Sequence, residues 1–177
     1  DNSESIFASS LDYLRDKEIK QIYIIGSGTS YHAAVAARPV IEKVLGMQVY
    51  VSYPIDFKDE TIFEKKTLVI GISHAGMSSS TIQGLDKARN EGMPTIAVTA
   101  EKDTPILPHG DVNLFIDMPI EHAGPKTKGY ICSIATLVIL GLKYAIQIGK
   151  ITQDEYDDYV ARMIATSDQI PDIAEAS

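Results

Sequence analysis

Two short loops concentrate the side chains able to do chemistry. Gly26-Ser27-Gly28-Thr29-Ser30 carries three hydroxyls between and after its glycines, and Ser73-His74-Ala75-Gly76-Met77-Ser78 runs on into Ser79, Ser80 and Thr81. Hydroxyls are neutral hydrogen-bond donors, and glycine lets a ligand approach the backbone closely. Where such a loop opens a helix, the N–H groups of the first turn and the positive dipole end favour an anion. Two such loops side by side would hold a phosphate without an arginine. Serine and threonine at helix starts also act as simple N-caps, which is the alternative reading of Ser79, Ser80 and Thr81; the Ser80 hydroxyl is expected inside the helix, away from the loop.

The nucleotide readings fail. Tyr31 stands where G-x-G-x-x-G needs its third glycine, and no acidic residue follows Val51-Ser52-Tyr53 to hold a ribose hydroxyl. G-x-x-x-x-G-K-[ST] does not occur, so a small phosphorylated metabolite is the expected ligand. Sixteen Lys plus Arg against 24 Asp plus Glu give a net charge of -8, which opposes binding to nucleic acid. A single cysteine, Cys132, and the lack of any Cys/His cluster give no zinc site, and no cofactor or metal is expected. His32, His109 and His122 read as packed or solvated side chains. Glu121 lies near the site with no pattern marking it as a base, and Lys126 either touches substrate or reaches solvent. The N-terminus is polar and acidic, and the apolar run from Tyr130 to Leu142 is shorter than the ~20 residues of a membrane span. The chain is expected to be soluble and cytoplasmic, with no membrane partner.

The elements that must position these loops alternate strand and helix. Hydrophobic residues make up 45% of the 177 positions, enough for a core. Phe7, Leu11 and Leu14 mark an amphipathic first helix. Apolar strands follow at 22–25, 48–51, 67–72, 95–99 and 112–117, with helices from Tyr31 to Leu45 (Pro39 inside it), from Ser79 to Asn90 and from Gly129 to Ile148. Gly92 sits where a left-handed helix cap is wanted, and Thr152 with Glu155 forms a capping box for a last helix. The expected fold is α/β: a doubly wound five-stranded parallel sheet of flavodoxin-like order 2-1-3-4-5. One domain is expected over residues 1–177, with an N-terminal helix at 3–17, a core at 20–148 and a C-terminal helical extension at 152–177. In that order the strand direction reverses between strands 1 and 3, whose following loops are the two hydroxyl-rich ones.

Gly28-Thr29-Ser30-Tyr31-His32-Ala33 resembles the G-T-S-Y-x-A loop of sugar isomerase (SIS) domains, and Ser73–Ser78 resembles that family's S-x-S-G-x-[ST] phosphate loop. Thr127-Lys128-Gly129-Tyr130 resembles the segment opening its long apolar helix. The set is most similar to the first SIS unit in the isomerase half of glucosamine-6-phosphate synthase and to fructosamine-phosphate deglycases. The resemblance implies a sugar-phosphate site built from Thr29, Ser30, Ser73, His74 and Ser78. Ala75 departs from the family's second serine and Met77 from a frequent glutamate. The resemblance also implies an isomerase, aminotransferase-type isomerase or deglycase acting by ring opening and C1–C2 proton transfer, whose base comes from a second SIS unit or a neighbouring subunit, so a homodimer or a second unit is expected. The alternative is a non-catalytic sugar-phosphate sensor. A flavodoxin-like redox protein fits worst, because no aromatic residues flank the anion loops as a flavin needs.

Overall fold

The computed structural model describes residues 3–119, 121, 127–169 and 175. Its centre is a five-stranded, wholly parallel sheet made of β1 (Gln21–Gly26), β2 (Gln48–Ser52), β3 (Thr67–Ile72), β4 (Thr95–Thr99) and β5 (Val112–Phe115). The spatial order is β2-β1-β3-β4-β5, as expected. Strand side chains alternate between faces, so each strand feeds two cores. Ile22 and Ile24 of β1, Leu68 and Ile70 of β3 and Ile96 of β4 pack with Ala37, Ile41 and Leu45 of α2 (Thr29–Leu45) and with Leu137 and Leu142 of α5 (Lys128–Gln147). Tyr23, Ile25, Val69 and Ala97 face the other way, toward Phe57 of α3 (Pro54–Asp59) and Leu85 of α4 (Ser79–Asn90). Near-continuous apolar strands are what a sheet covered on both faces requires.

The first helix, α1 (Ser3–Leu14), ends earlier than expected, because the backbone turns at Arg15 and Lys17 with bonds back to Asp12 and Leu14. It docks beside β5 at the far edge of the sheet. α2 starts at Thr29 rather than Tyr31 and runs unbroken through Pro39 to the left-handed Gly46, whose N–H returns to the Glu42 carbonyl. β5 stops at Phe115, although Ile116 still donates to the Thr99 carbonyl. α3 was not foreseen: six residues opened by a proline leave too short a periodic pattern to recognise. It is fixed by Lys87, whose ammonium donates to the Phe57 and Glu60 carbonyls at its C-terminal end. Gly92 has φ 78° just beyond α4, as the cap reading anticipates. The last helix, α6 (Gln153–Asp168), opens with the complete Thr152–Glu155 capping box.

α5 is longer than the apolar run suggests. Its 20 residues satisfy the length and composition of a membrane span, so length alone does not exclude one. Packing decides the matter, since Leu137, Leu140, Leu142, Tyr144 and Ala145 are buried against α2, α1 and the sheet. α5 is a core helix.

Candidate functional site

β1 and β3 are hydrogen-bonded neighbours up to Gly26 opposite Ile72, so the loops that follow leave the sheet side by side. In the first, Gly28 at φ 58° turns the chain directly into α2, and no side chain caps that helix. This puts Thr29 and Ser30 in the first helical turn. Ser30 is buried, its N–H donating to the Ser27 carbonyl (3.2 Å), and a Cβ on Gly26 would lie 3.0 Å from the Ser30 Cβ and 3.3 Å from the Ile72 oxygen. Ser30 is thereby pinned between the two strand ends. Thr29 is exposed and turned toward α5, where it shares an open depression with His32, Tyr130 and Ile131.

The second loop is braced from several sides. The Ser73 N–H donates to the Val98 carbonyl (3.0 Å), and the His74 carbonyl accepts from Ala100 N–H (2.9 Å) and the Thr99 hydroxyl (3.1 Å). Gly76 has φ 65°, and a Cβ there would stand 2.2 Å from Thr104 Oγ1, so only glycine fits. Ser73 Oγ accepts from the Ser78 N–H at 3.2 Å. The α4 cap is Ser78 itself, not Ser79, Ser80 or Thr81: its backbone is extended, and its Oγ accepts from the Thr81 N–H (3.4 Å) and the Thr81 hydroxyl (3.0 Å). Ser80 Oγ lies 3.2 Å from Ser78 Oγ, so it belongs to the loop's hydroxyl cluster and does not point away from it, as the helix interior would have required. Capping does not exhaust these serines. A hydroxyl has two acceptor sites and one proton, so Ser73, which accepts one bond within the loop, can still donate to an anion; Ser78 accepts twice from Thr81, and its proton either meets Ser80 Oγ or turns to an anion.

A third helix start lies beside these two, and it already holds an anion. The Glu121 carboxylate accepts from the backbone N–H groups of Thr127 (2.9 Å), Lys128 (3.0 Å) and Gly129 (2.9 Å) and from the Thr127 hydroxyl (3.2 Å). The Gly129 bond first, then those from Thr127 and Lys128, pull its carboxyl down to about 2. Glu121 is therefore the cap of α5, a role that no local pattern in the sequence signals because it lies six residues before Thr127. The His74 ring rests on the first turn of α5: a Cβ on Gly129 would come within 2.5 Å of it. His74 also borders a crevice of about 560 Å³ with Glu101, Lys102, Met118 and Glu121, beyond the ends of β3 to β5.

Ser73 and Ser78 are thus in direct contact, Ser30 and His74 flank them, and Thr29 stands at the same sheet edge on the α5 side. His122 and Lys126 lie outside the described residues. His109 is remote from these loops and holds Asp86 (2.6 Å). A polar depression at the opposite edge of the sheet, lined by Tyr13, Lys17, Arg89 and Asp111, is a structural tie. There Asp111 accepts from Tyr13 (2.7 Å), Arg89 (3.1 Å) and both the N–H (2.9 Å) and hydroxyl (3.0 Å) of Thr95. Burial works to raise the Asp111 pKa, but these bonds and the Arg89 charge together hold it below the usual carboxylate value. No group of three or more His, Cys, Asp and Glu among the described residues is arranged to hold a metal.

With this geometry in view, the known proteins that the chain resembles are informative. The SIS domain model matches residues 14–143. The chain belongs to the SIS domain family. Glutamine–fructose-6-phosphate aminotransferase (isomerizing) of Clostridium tetani is 32% identical to it over 160 residues, covering 90% of this chain and 26% of that protein. A Clostridium difficile 630 structure proposed to be a phosphosugar isomerase superposes with a TM-score of 0.89 at 28% identity, covering 98% of this chain and 49% of the other. The C-terminal domain of glucosamine-fructose-6-phosphate aminotransferase from Francisella tularensis shares the fold, with a TM-score of 0.81 at 21% identity over 92% of this chain and 49% of that one. This SIS domain therefore spans about a quarter of the length of the curated relatives it matches and about half of these two structures.

Proposed function

We propose that this chain is a phosphosugar-binding SIS unit whose phosphate is held by Thr29, Ser30, Ser73 and Ser78, with His74 beside them, and that it works in an isomerase, aminotransferase-type isomerase or deglycase of amino-sugar metabolism. The observation that carries this is the pair of hydroxyl-bearing, helix-opening loops side by side at the switch point, with Ser73 Oγ accepting one bond within its loop and keeping its proton for donation. The curated relatives named as aminotransferases acting on fructose 6-phosphate support a hexose 6-phosphate as ligand. The fold is read as one unit over residues 1–177, with α6 as an extension.

Moving a proton between C1 and C2 needs a base over the sugar. Glu121 is a poor one: its carboxylate is spent on the α5 N-terminus and its pKa is near 2, far below working pH. The base is assigned instead to a second SIS unit or a neighbouring subunit. The same engagement of Glu121 favours a second reading, a sugar-phosphate sensor with no chemistry of its own.

Calorimetry with fructose 6-phosphate, glucosamine 6-phosphate and unphosphorylated fructose tests the binding. The expected result is that the phosphorylated sugars bind and fructose does not; equal affinity for fructose would sink the proposal. Proton exchange at C1 and C2 of fructose 6-phosphate in D₂O, followed by NMR, separates enzyme from sensor.

A further inference from the structure

Thr104 is only 9% exposed, and nothing among the described residues bonds to its hydroxyl. A buried hydroxyl without a partner lowers stability, and most such groups in folded chains find one. Its position makes this one informative. The Thr104 side chain fills the space where a side chain on Gly76 would stand: a Cβ there would lie 2.2 Å from Thr104 Oγ1, 2.4 Å from its Cβ and 2.9 Å from its Cγ2. The unpartnered oxygen is therefore aimed at the turn in the middle of the Ser73–Ser78 loop.

Holding Thr104 there is locally unfavourable. Asp103, just before it, has φ 59°, a left-handed conformation that residues other than glycine seldom adopt. Two residues after it, the Ile106 N–H donates to the Gly76 carbonyl (3.1 Å), and Ile106 itself is fully buried. Residues 103–106 thus clamp the Gly76 turn from behind, with a strained backbone and an unused hydroxyl. Strain and unsatisfied groups that persist in a well-packed place gather at functional sites. Stability alone would favour valine at 104, which has the same shape and no polar atom to bury.

We propose that Thr104 is a positioning residue of the phosphate site, whose hydroxyl bonds to the backbone of the Gly76 turn when a phosphate occupies the loop. Shielded from solvent, the oxygen acts through the turn and does not touch the sugar. An anion draws the N–H and O–H groups of the loop toward itself. A hydroxyl behind the turn can donate or accept, whichever the shifted backbone then offers, and so it holds the turn in the shape the anion requires. The proposal rests on the phosphosugar-binding reading and adds to it a residue that lies outside both hydroxyl loops.

Thermal melts and calorimetry with fructose 6-phosphate on Thr104→Val, Thr104→Ser and Thr104→Ala in the full chain test it. Valine keeps the shape and loses the hydroxyl, whereas serine keeps the hydroxyl and loses a buried methyl group. The two readouts are expected to cross. Thr104→Val melts at or above the wild type yet binds roughly three- to tenfold more weakly, while Thr104→Ser melts below the wild type and binds as tightly. A packing role would move both readouts together. A Thr104→Val protein that binds like the wild type overturns the proposal, and so does an affinity that follows the order of the melting temperatures. If Thr104→Val does not melt cooperatively, Thr104→Ala decides: it should bind more weakly than Thr104→Ser, and equal affinity of the two overturns the proposal. A wild type that does not bind fructose 6-phosphate overturns the phosphosugar reading and this proposal with it. Wild-type binding that is unchanged in Thr104→Val overturns this proposal alone.

Discussion

At the scale of single residues, the serines of the second loop do two jobs with one hydroxyl each. Ser73 accepts from the Ser78 N–H and keeps its proton for a ligand, while Ser78 caps α4 through Thr81 and gives a ligand the proton that otherwise faces Ser80 Oγ. Removing a hydrogen bond to a charged group loses ~1.5–3 kcal/mol, so Ser73→Ala and Ser78→Ala should each weaken phosphosugar binding roughly ten- to a hundredfold by calorimetry. Ser78→Ala should also lower stability by ~1 kcal/mol through loss of the cap, seen as a lower melting temperature. Thr29→Ala should weaken binding without that stability loss, because no side chain caps α2. If Ser73→Ala and Ser78→Ala melt lower yet bind normally, both are caps only. Glu121 gives a pH signature. Its pKa is near 2 in the folded chain against about 4.5 ordinarily, so its stabilisation of α5 is complete above about pH 5 and is lost as pH falls toward 2. The melting-temperature gap between wild type and Glu121→Gln should therefore be widest near neutrality and shrink on acidification. A gap independent of pH between 7 and 2 would mean the carboxylate charge is not what holds the helix.

Whole elements are tied together at the edge of the sheet remote from the site. Asp111 joins α1 through Tyr13, α4 through Arg89 and β4 through Thr95, with its side chain only 28% exposed. Asp111→Ala strands the Tyr13 and Thr95 donors and should destabilise the chain by ~1–3 kcal/mol, a drop of several degrees in the melt. Phosphosugar affinity should not change, since the site is at the opposite edge; a parallel loss of affinity would contradict that separation. The strands β3 and β4 and the helix α4 are legible to the residue: Lys66 and Ser73 bound the apolar run of β3, Pro94 opens that of β4, and Ser78 and Gly92 frame α4. α3 is not, since it rests on Lys87 reaching from α4 to its last carbonyls, a tertiary contact with no local trace. The capping role of Glu121 was hidden for the same reason. Ser80 was misplaced because helical position alone does not tell which way a first-turn hydroxyl leans.

On the scale of the molecule, the parallel order β2-β1-β3-β4-β5 is what turns two unremarkable serine-rich segments into one site, by setting Gly26 beside Ile72. That placement follows from the strand count and the positions of the loops, whereas the gathering of three helix starts there, one already filled by Glu121, rests on tertiary contacts with no local trace in the sequence. The central claim is that phosphate is held at this edge by α2 and α4. Titrating fructose 6-phosphate into ¹⁵N-labelled protein and following backbone amide shifts tests it most directly. The largest shifts are predicted at residues 27–31 and 73–81, with the amides around Lys17, Arg89 and Asp111 unmoved. Shifts concentrated at that opposite edge, or none at saturating ligand, would contradict it.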